Sequence, residues 1–257
     1  MFSLEIECDA DDRDLLIAEL WEQGSAGIVE LDAQRVRAFF EDTAVRESLL
    51  SLYPGARLRD EEQRDWVQAA RDLLQPMLVG RRFYLVPEWR DDPTPPGRFR
   101  IVVNPGMAFG TGLHGTTQLC IEGLEDFLKP GMSVLDVGTG SGILAHAARL
   151  LGAGKVTACD IDPIAVQIAG NAFVGSIDAV AGDSADLVVA NINPQVIIAL
   201  APDFQRVLRS GGILLASGFE RHEVEQVSAA LPPVLEARHK GEWSLVVCLQ
   251  APRACDQ

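Results

Sequence analysis

The sequence contains no run of about 18 consecutive apolar residues, so we expect no membrane-spanning helix. Its first residues alternate apolar and acidic side chains without a basic stretch, which predicts a strand rather than a signal peptide. Its five cysteines are scattered and never form a Cys-x-x-Cys pair, so neither a metal site nor a disulfide framework is expected. These absences predict a cytoplasmic protein with reduced thiols.

Basic residues are also scarce. The chain has 22 Lys and Arg against 37 Asp and Glu, a net charge of −15. Residues 1–60 hold 14 acidic and 6 basic side chains, a net of −8. Such a field repels free nucleic acid and attracts a basic protein, so we expect no direct nucleic-acid binding and a basic protein partner. A charged soluble surface without a partner is the alternative.

An apolar fraction of 47% in 257 residues is ample for a folded core. The first sixty residues alternate short strand and helix patterns in the order βαββαβ, which is typical of a ferredoxin-like α+β domain. The expected strands are 2–8, 27–31, 35–40 and a short one near residue 57, and the expected helices are 11–23 and 43–52. A helix over 61–78 is expected to connect this domain to the rest.

The remaining chain alternates helices and strands, which predicts a parallel, doubly wound sheet. Strands 85–89 and 99–103 are expected to pair antiparallel around a proline-rich loop at 91–97. Later helices are expected at 117–127, 143–151, 163–173, 195–208 and 220–230, and later strands at 134–137, 155–159, 186–190, 212–217 and 243–249.

A glycine turn follows the strand that begins at Val134, in the run Asp136-Val-Gly138-Thr-Gly140-Ser-Gly142. Glycines allow backbone amides to approach a ligand closely. Twenty-four residues after Asp136, the next strand ends at Asp160, where a carboxylate can accept from both hydroxyls of a ribose. This spacing predicts a nucleotide-like cofactor. A dinucleotide turn needs Gly or Ala where this chain has Ile143, which disfavours an NAD dehydrogenase.

The pattern Gly138-x-Gly140-x-Gly142 after Asp136 resembles motif I of class I methyltransferases, which bind S-adenosylmethionine. Four further segments resemble the PrmA family, whose members methylate amino groups of ribosomal protein L11. These segments are Asn104-Pro-Gly-Met-Ala-Phe109-Gly-Thr111-Gly-Leu-His114-Gly-Thr116-Thr117, Asp186-Leu-Val-Val-Ala-Asn191-Ile-Asn-Pro194, Arg64-Asp-Trp66 and Val79-Gly-Arg-Arg-Phe-Tyr-Leu-Val-Pro-Glu-Trp89.

The resemblance implies an α/β fold, with a doubly wound Rossmann-like class I methyltransferase sheet and a small N-terminal ferredoxin-like domain. It implies substrate recognition by residues 1–60, a linker helix and strand over 61–98, and an S-adenosylmethionine-binding domain over 99–257. The implied partner is a basic ribosomal protein, methylated on lysine side chains or its N-terminal amine by a monomeric enzyme.

The resemblance also implies a set of cofactor-binding residues. Gly138 and Gly140 are expected near the methionine part, with Asp136 orienting the loop or holding the amino group through water. Asp160 is expected on the ribose and Ile161 on the adenine face. The rest of the set is Thr117 near the carboxylate, Phe109, Thr111 and His114 lining the pocket, Asp183 near the adenine amino group, and Asn191.

Asn191 is the expected catalytic residue, because its side-chain carbonyl can accept a hydrogen bond from the attacking amine and so direct the amine lone pair toward the methyl group. Asn193-Pro194 departs from the family pattern, and Asn193 suits a helix cap. The interval between Asp160 and Asn191 is shorter than is usual in the family, which predicts a trimmed element there.

Two other functions stay open from the sequence. One is an S-adenosylmethionine-dependent N-methyltransferase of another protein, a nucleic-acid amine or a small molecule. The other is a non-catalytic module that binds the cofactor.

Overall fold

The computed structural model describes residues 1–9, 13–32, 34–40, 45–60, 75–104 and 114–252. Contacts divide the chain into two compact units, Met1–Leu73 and Leu74–Gln257. Among the helices in these ranges, none combines the length and apolarity needed to cross a membrane.

The N-terminal unit is a four-stranded antiparallel sheet with two helices. Its elements are β1 (Phe2–Glu7), α1 (Arg13–Glu22), β2 (Gly27–Asp32), β3 (Arg35–Phe40), α2 (Arg46–Leu52) and β4 (Arg57–Asp60). The element order is the predicted one, and the strands lie in the order β2-β3-β1-β4. Alternate residues of β1, such as Phe2 and Leu4, are fully buried in an apolar cluster that includes Leu20 and Leu49.

The opposite side of this sheet carries an arginine cluster around one carboxylate. Glu5 is almost completely buried and forms ion pairs with Arg35, Arg37 and Arg59, at 3.4, 2.8 and 3.2 Å. The hydrogen bond from Arg37 lowers the pKa of Glu5, and the three guanidinium charges act in the same direction.

The helix predicted over residues 61–78 to connect the two domains is wrong over its last residues. Residues 61–74 lie outside the described ranges, and Met77–Val79 is a strand, β5. It pairs antiparallel with β6 (Phe83–Pro87), which pairs with β7 (Phe99–Val103).

The expected antiparallel pairing of β6 and β7 is also wrong, because the two strands are parallel. The proline-rich connection returns to the start of β6, where the Phe99 N–H donates to Arg82 O at 2.7 Å. Arg98 then donates to Gly80 O at 2.9 Å. Because the connection runs back along the full length of this sheet before β7 begins, β6 and β7 point in the same direction.

The third sheet has seven strands in the order β10-β9-β8-β11-β12-β14-β13. The first five are parallel, and β14 and β13 are antiparallel. The sheet is therefore doubly wound as predicted but mixed rather than wholly parallel. The strands are β8 (Ser133–Val137), β9 (Lys155–Asp160), β10 (Phe173–Val174), β11 (Ala185–Asn191), β12 (Leu208–Glu220), β13 (Val234–Lys240) and β14 (Trp243–Leu249).

Helices cover both faces of this sheet. They are α3 (Gly115–Phe127), α4 (Ile143–Leu150), α5 (Pro163–Ala169), α6 (Pro194–Ala199), α7 (Ala201–Val207) and α8 (Val224–Ala230). Leu124 of α3 and Ala147 of α4 belong to one buried cluster, and Ile197 of α6 and Phe204 of α7 belong to the other. Burial of the parallel strands on both faces explains why the middle of β11, residues 187–190, is a continuous apolar run.

Several boundaries differ from the sequence prediction. The helix expected over 195–208 is two helices, because Pro202 has no backbone N–H to continue the first one and lies in the first turn of α7 instead. The helix expected over 163–173 ends at Ala169, where Gly170 follows with a positive φ of 73°. Only the three-residue 3-10 turn Ile177–Ala179 lies between β10 and β11, so a crossover helix is missing in the short interval.

Candidate functional site

The carboxyl ends of the parallel strands meet at one edge of the seven-stranded sheet, next to the start of β14. Strand order reverses between β8 and β11, the position where doubly wound sheets bind ligands. A cavity of about 550 Å³ opens at this edge, and its lining includes Gly138, Asp160, Asn191 and Trp243.

The glycine turn adopts a backbone that other residues rarely reach. Gly138, Gly140 and Gly142 have φ values of 70°, 53° and 80°. A Cβ on Gly138 would lie 2.2 Å from Cγ2 of Ile192, so the loop and the segment after β11 are packed too tightly for a side chain. The glycines therefore shape the floor of the cavity.

Asp160 stands at the tip of β9, as predicted. Its Oδ2 accepts from the Gly140 N–H at 2.9 Å, and its Oδ1 accepts from the Asp162 N–H at 3.0 Å. Each carboxylate oxygen can accept a further hydrogen bond, so two hydroxyl groups of a ligand can still be bound. Ile161 follows directly, lines the cavity and is 79% exposed, which suits an apolar ligand surface.

Asp136 lies beneath the loop and does not line the cavity. Its Oδ2 accepts from the Thr139 hydroxyl at 2.7 Å and from the Ala145 N–H at 3.0 Å. Complete burial raises the pKa of Asp136 to about 6, and the hydrogen bonds from Thr139 and Ala145 oppose that rise. The sequence predicted that Asp136 either orients the loop or holds the amino group of the cofactor through water. These contacts fit the first of the two roles.

Asn191 ends β11 at the other side of the cavity. It is 9% exposed, and its Nδ2 donates to the Thr117 hydroxyl at 3.3 Å. Within the described ranges, its Oδ1 is buried and has no hydrogen-bond partner. Leaving a buried acceptor unpaired costs about 1–3 kcal/mol, so this oxygen is prepared for a donor that enters the cavity.

Asn193 caps the following helix, which is the local role that its sequence position predicted. Its Oδ1 accepts from the Gln195 N–H at 2.9 Å, and Pro194 occupies the first turn of α6. Ile192 between the two asparagines packs on the glycine loop and lines the cavity.

The prediction for Asp183 is wrong. It lies in a turn before the amino end of β11, where its N–H donates to Arg206 O at 3.0 Å and its carbonyl accepts from Arg209 Nε at 3.1 Å. Asn191 lies eight positions further along the extended chain, roughly 25 Å away. It therefore lies at the opposite edge of the sheet from the cavity.

The structure brings together Thr117, Gly138, Gly140, Asp160, Ile161 and Asn191 in one cavity, with Asp136 beneath it. Phe109 and Thr111 lie outside the described residues. His114 does line the cavity, and its Nδ1 shares a hydrogen bond of 2.8 Å with the Thr116 hydroxyl.

Sequence reasoning missed several lining residues. Gly175 and Ser176 line the cavity beside Asp160, and Trp243 lines it beside His114. Trp243 follows the turn between β13 and β14. The sequence pattern alone does not show which edge of the sheet this turn occupies. The register of the strands places it at the edge where the glycine turn lies. In the described part of the chain, no group of three His, Cys, Asp or Glu is placed to hold a metal ion.

The raised pKa of Asp136 predicts a specific pH dependence of stability. An unperturbed Asp has a pKa of about 3.9, so the folded state binds more protons than the unfolded state until pH exceeds about 6. Ionised Asp136 thus lowers the stability of the ligand-free protein increasingly as pH rises through this window. Urea unfolding of Asp136→Asn should show an advantage over wild type that grows by about 2 kcal/mol from about pH 4.5 to about pH 7.5.

The exposed Asp178 provides the control. Asp178→Asn removes a carboxylate of the same type that folding leaves exposed, so it separates the effect of burial from the effect of the substitution. An Asp136→Asn effect that is constant over this range would contradict the buried-carboxylate assignment.

A family model described as ribosomal protein L11 methyltransferase (PrmA) matches residues 53–251. A ribosomal protein L11 methyltransferase of Symbiobacterium thermophilum is 38% identical over 235 residues, which cover 86% of this chain and 77% of that protein. One of Methylobacillus flagellatus is 39% identical, with 88% of this chain and 90% of that protein covered.

A solved structure has the same arrangement. The crystal structure of a ribosomal protein L11 methylase from Lactobacillus delbrueckii subsp. bulgaricus matches with a TM-score of 0.63 and 32% identity, over 70% of this chain and all of that one. From the family match over most of its length and these relatives, the chain belongs to the ribosomal protein L11 methyltransferase (PrmA) family.

Proposed function

We propose that this protein transfers methyl groups from S-adenosylmethionine to amino groups of ribosomal protein L11. The observation that carries the proposal is the buried Oδ1 of Asn191 at the cavity wall, which has no hydrogen-bond partner among the described residues, in a chain that belongs to a methyltransferase family. A ribosomal protein substrate places this reaction in the cytoplasm, where ribosomes are.

The residues of the cavity fit S-adenosylmethionine. The glycine turn supports backbone contact with the methionine part, and the remaining lone pairs of Asp160 suit the ribose hydroxyls. The exposed Ile161 suits the adenine face. A volume of about 550 Å³ is within the usual range for sites that enclose a ligand of this size.

The chemistry has two reactants at this site. When bound, S-adenosylmethionine supplies an electrophilic methyl group on a positively charged sulfur. The acceptor amine first loses a proton to water. Its lone pair then forms the new C–N bond while the electron pair of the broken S–C bond returns to sulfur, and the product is a methylated ammonium.

Asn191 orients the amine for this attack. Its Oδ1 accepts an N–H of the neutral amine, so the lone pair of the nitrogen points elsewhere, toward the methyl group. Thr117 holds the carboxamide in this orientation by accepting from Nδ2 at 3.3 Å. Positioning of this kind lowers a barrier by converting an encounter into a reaction between aligned groups.

No side chain needs to act as a strong base. A lysine amine has a pKa of about 10.4, so deprotonation near pH 7.4 costs about 4 kcal/mol. The nearby positive sulfur disfavours the ammonium form and reduces that cost. Among the described residues that line the cavity, the only carboxylate is Asp160. It lies two strands from Asn191 in the sheet, roughly 10 Å, too far to take the proton.

The N-terminal unit is proposed to recognise the substrate. Its first sixty residues carry a net charge of −8, which attracts a basic ribosomal protein. Arg35, Arg37 and Arg59 surround Glu5 on one side of its sheet, so the acidic residues that meet the substrate belong to other parts of this unit.

The proposed reaction predicts where label is transferred. With S-adenosylmethionine labelled in its methyl group and a mixture of purified L11 and ribosomal RNA, mass spectrometry should locate the label on amino groups of L11. The positive sulfur and the amide acceptor of Asn191 suit an amine nucleophile. Label on RNA would support methylation of a nucleic-acid amine instead, and absence of label from L11 would refute the proposal.

If the N-terminal unit recognises the substrate and the second unit binds the cofactor, deletion of the N-terminal unit should affect only the first of these functions. Removal of residues 1–73 should leave S-adenosylmethionine affinity within about twofold, or 0.4 kcal/mol, because every described lining residue lies after position 73. Methylation of L11 should be lost, as measured by the same label assay, with calorimetric titration as the control for folding.

The salt dependence of the reaction tests whether charge attraction contributes to recognition of L11. Raising NaCl from about 50 to about 300 mM shortens the Debye length and should raise the KM of the full-length enzyme for L11. A truncated chain that methylates L11 at the normal rate would exclude recognition by the N-terminal unit.

A further inference from the structure

Trp243 is a lining residue of the cavity that the family motifs do not contain. It is the first residue of β14, and its ring lies 4.3 Å from the ring of His114, with an angle of 58° between the planes. Both residues line the same cavity as Asn191. The pair therefore forms an aromatic wall, which consists of Trp243 and His114.

The order of the strands places this wall on one side of the site. Asp160 ends β9 and Asn191 ends β11, while Trp243 is the register partner of Glu220, the last residue of β12. Neighbouring strands are about 4.8 Å apart. Trp243 is therefore two strands across the sheet from Asn191 and two residues beyond it in register, roughly 12 Å away, and it is four strands, roughly 20 Å, from Asp160. The wall lies on the side of Asn191 away from the ribose-binding carboxylate.

The wall is held in place by the turn between β13 and β14. Lys240 donates to Glu122 at 2.6 Å and to Gln118 at 3.0 Å, which ties the turn to α3. Arg221 donates to the Gly241 carbonyl at 2.7 Å from the other side.

A missing side chain lets the ring approach α3 closely. A Cβ on Gly115, the first residue of α3, would lie 3.0 Å from Cδ1 of Trp243. The ring thus packs directly against the backbone of the helix that follows His114. Together with the hydrogen bonds of Lys240 and Arg221, this contact fixes the position of the ring at the cavity.

We propose that Trp243 is a specificity-determining residue that contacts the acceptor side chain and retains the methylated ammonium beside Asn191 between methyl transfers. The inference rests on the proposed function. The acceptor is an alkyl amine and each transfer leaves a cation, and tryptophan is the side chain whose ring face attracts such cations most strongly. The alkyl chain of a lysine is also apolar enough to pack along the indole.

This role makes the methylation state depend on the ring. An enzyme that holds a monomethyl or dimethyl ammonium until the next transfer adds several methyl groups per encounter. Without the ring face, the partly methylated substrate leaves sooner, so lower methylation states accumulate.

The test compares Trp243→Leu and Trp243→Phe with wild type on purified L11. Trp243→Leu should raise the KM for L11 by about fivefold to thirtyfold, which corresponds to about 1–2 kcal/mol of lost cation–π contact. Intact-mass spectra of L11 under limiting enzyme should shift toward the monomethyl state. Trp243→Phe keeps an aromatic face, so its KM for L11 and its methylation states should lie between those of wild type and Trp243→Leu. Calorimetric titration should give an S-adenosylmethionine affinity within about twofold of wild type, or about 0.4 kcal/mol, in both variants.

Phe127→Leu is the matched control. Phe127 packs on the same apolar cluster and stacks with Arg238 of β13 at 5.5 Å. It lies at the far end of α3, about 18 Å along the helix from Gly115. This variant removes an aromatic ring from the same helix–hairpin contact, and should leave the KM for L11 and the methylation states as in wild type.

Gly115→Ala provides a second variant if Trp243→Leu does not fold. Its Cβ displaces the ring without removing it, and the same shift toward monomethyl L11 is expected. Three outcomes would overturn the proposal: wild-type KM and methylation states in Trp243→Leu, an equal change in Phe127→Leu, or a parallel loss of S-adenosylmethionine affinity. If wild type itself leaves L11 unmethylated, the proposed function fails, and this is seen before any variant is compared.

Discussion

The buried carboxamide of Asn191 is the interaction on which the site depends. Its Nδ2 is used by Thr117, and within the described chain its Oδ1 is left without a donor. The surrounding backbone maintains this arrangement, since Ile192 passes between two glycines. A Cβ on Gly218 would lie 2.2 Å from Ile192 O, and one on Gly138 would lie 2.2 Å from Ile192 Cγ2. Side chains at either glycine would displace the segment that carries the amide.

A second buried polar group supports the cofactor side of the same cavity. Asp136 is linked to the glycine turn through Thr139 and to the first turn of α4 through Ala145. Burial of a charged group is costly unless hydrogen bonds compensate for it, and here two bonds reach one oxygen while the pKa stays raised. The two buried groups show that the site is built at some cost in stability, as is common where a ligand must supply the missing contacts.

The features that sequence could predict are those that short, local patterns specify. The glycine turn, Asp160 and Asn191 are each tied to the end of one apolar strand, and the parallel strands of a doubly wound sheet bring such ends together. The order of elements in the N-terminal unit followed from two-residue and helical periodicity in the same way.

The features that sequence could not predict depend on register and on connections between distant segments. The parallel pairing of β6 and β7 follows from the path of a proline-rich connection. The edge strand β13 is largely exposed and has no apolar alternation to reveal it. The sequence interpretation wrongly assigned Asp183 to the site and missed Trp243 for the same reason. Only the strand directions show which edge of the sheet each residue occupies. Charge counts have a similar limit, since residues 1–60 carry a net charge of −8 and still present arginines around Glu5.

The most direct measurement is the comparison of turnover and cofactor affinity in Asn191→Ala. If the amide oxygen orients the amine, kcat for L11 should fall at least about tenfold, or about 1.4 kcal/mol. The Kd for S-adenosylmethionine should then change by less than about threefold, or about 0.65 kcal/mol. A loss of cofactor affinity as large as the loss of turnover would make Asn191 a cofactor ligand alone and contradict the account.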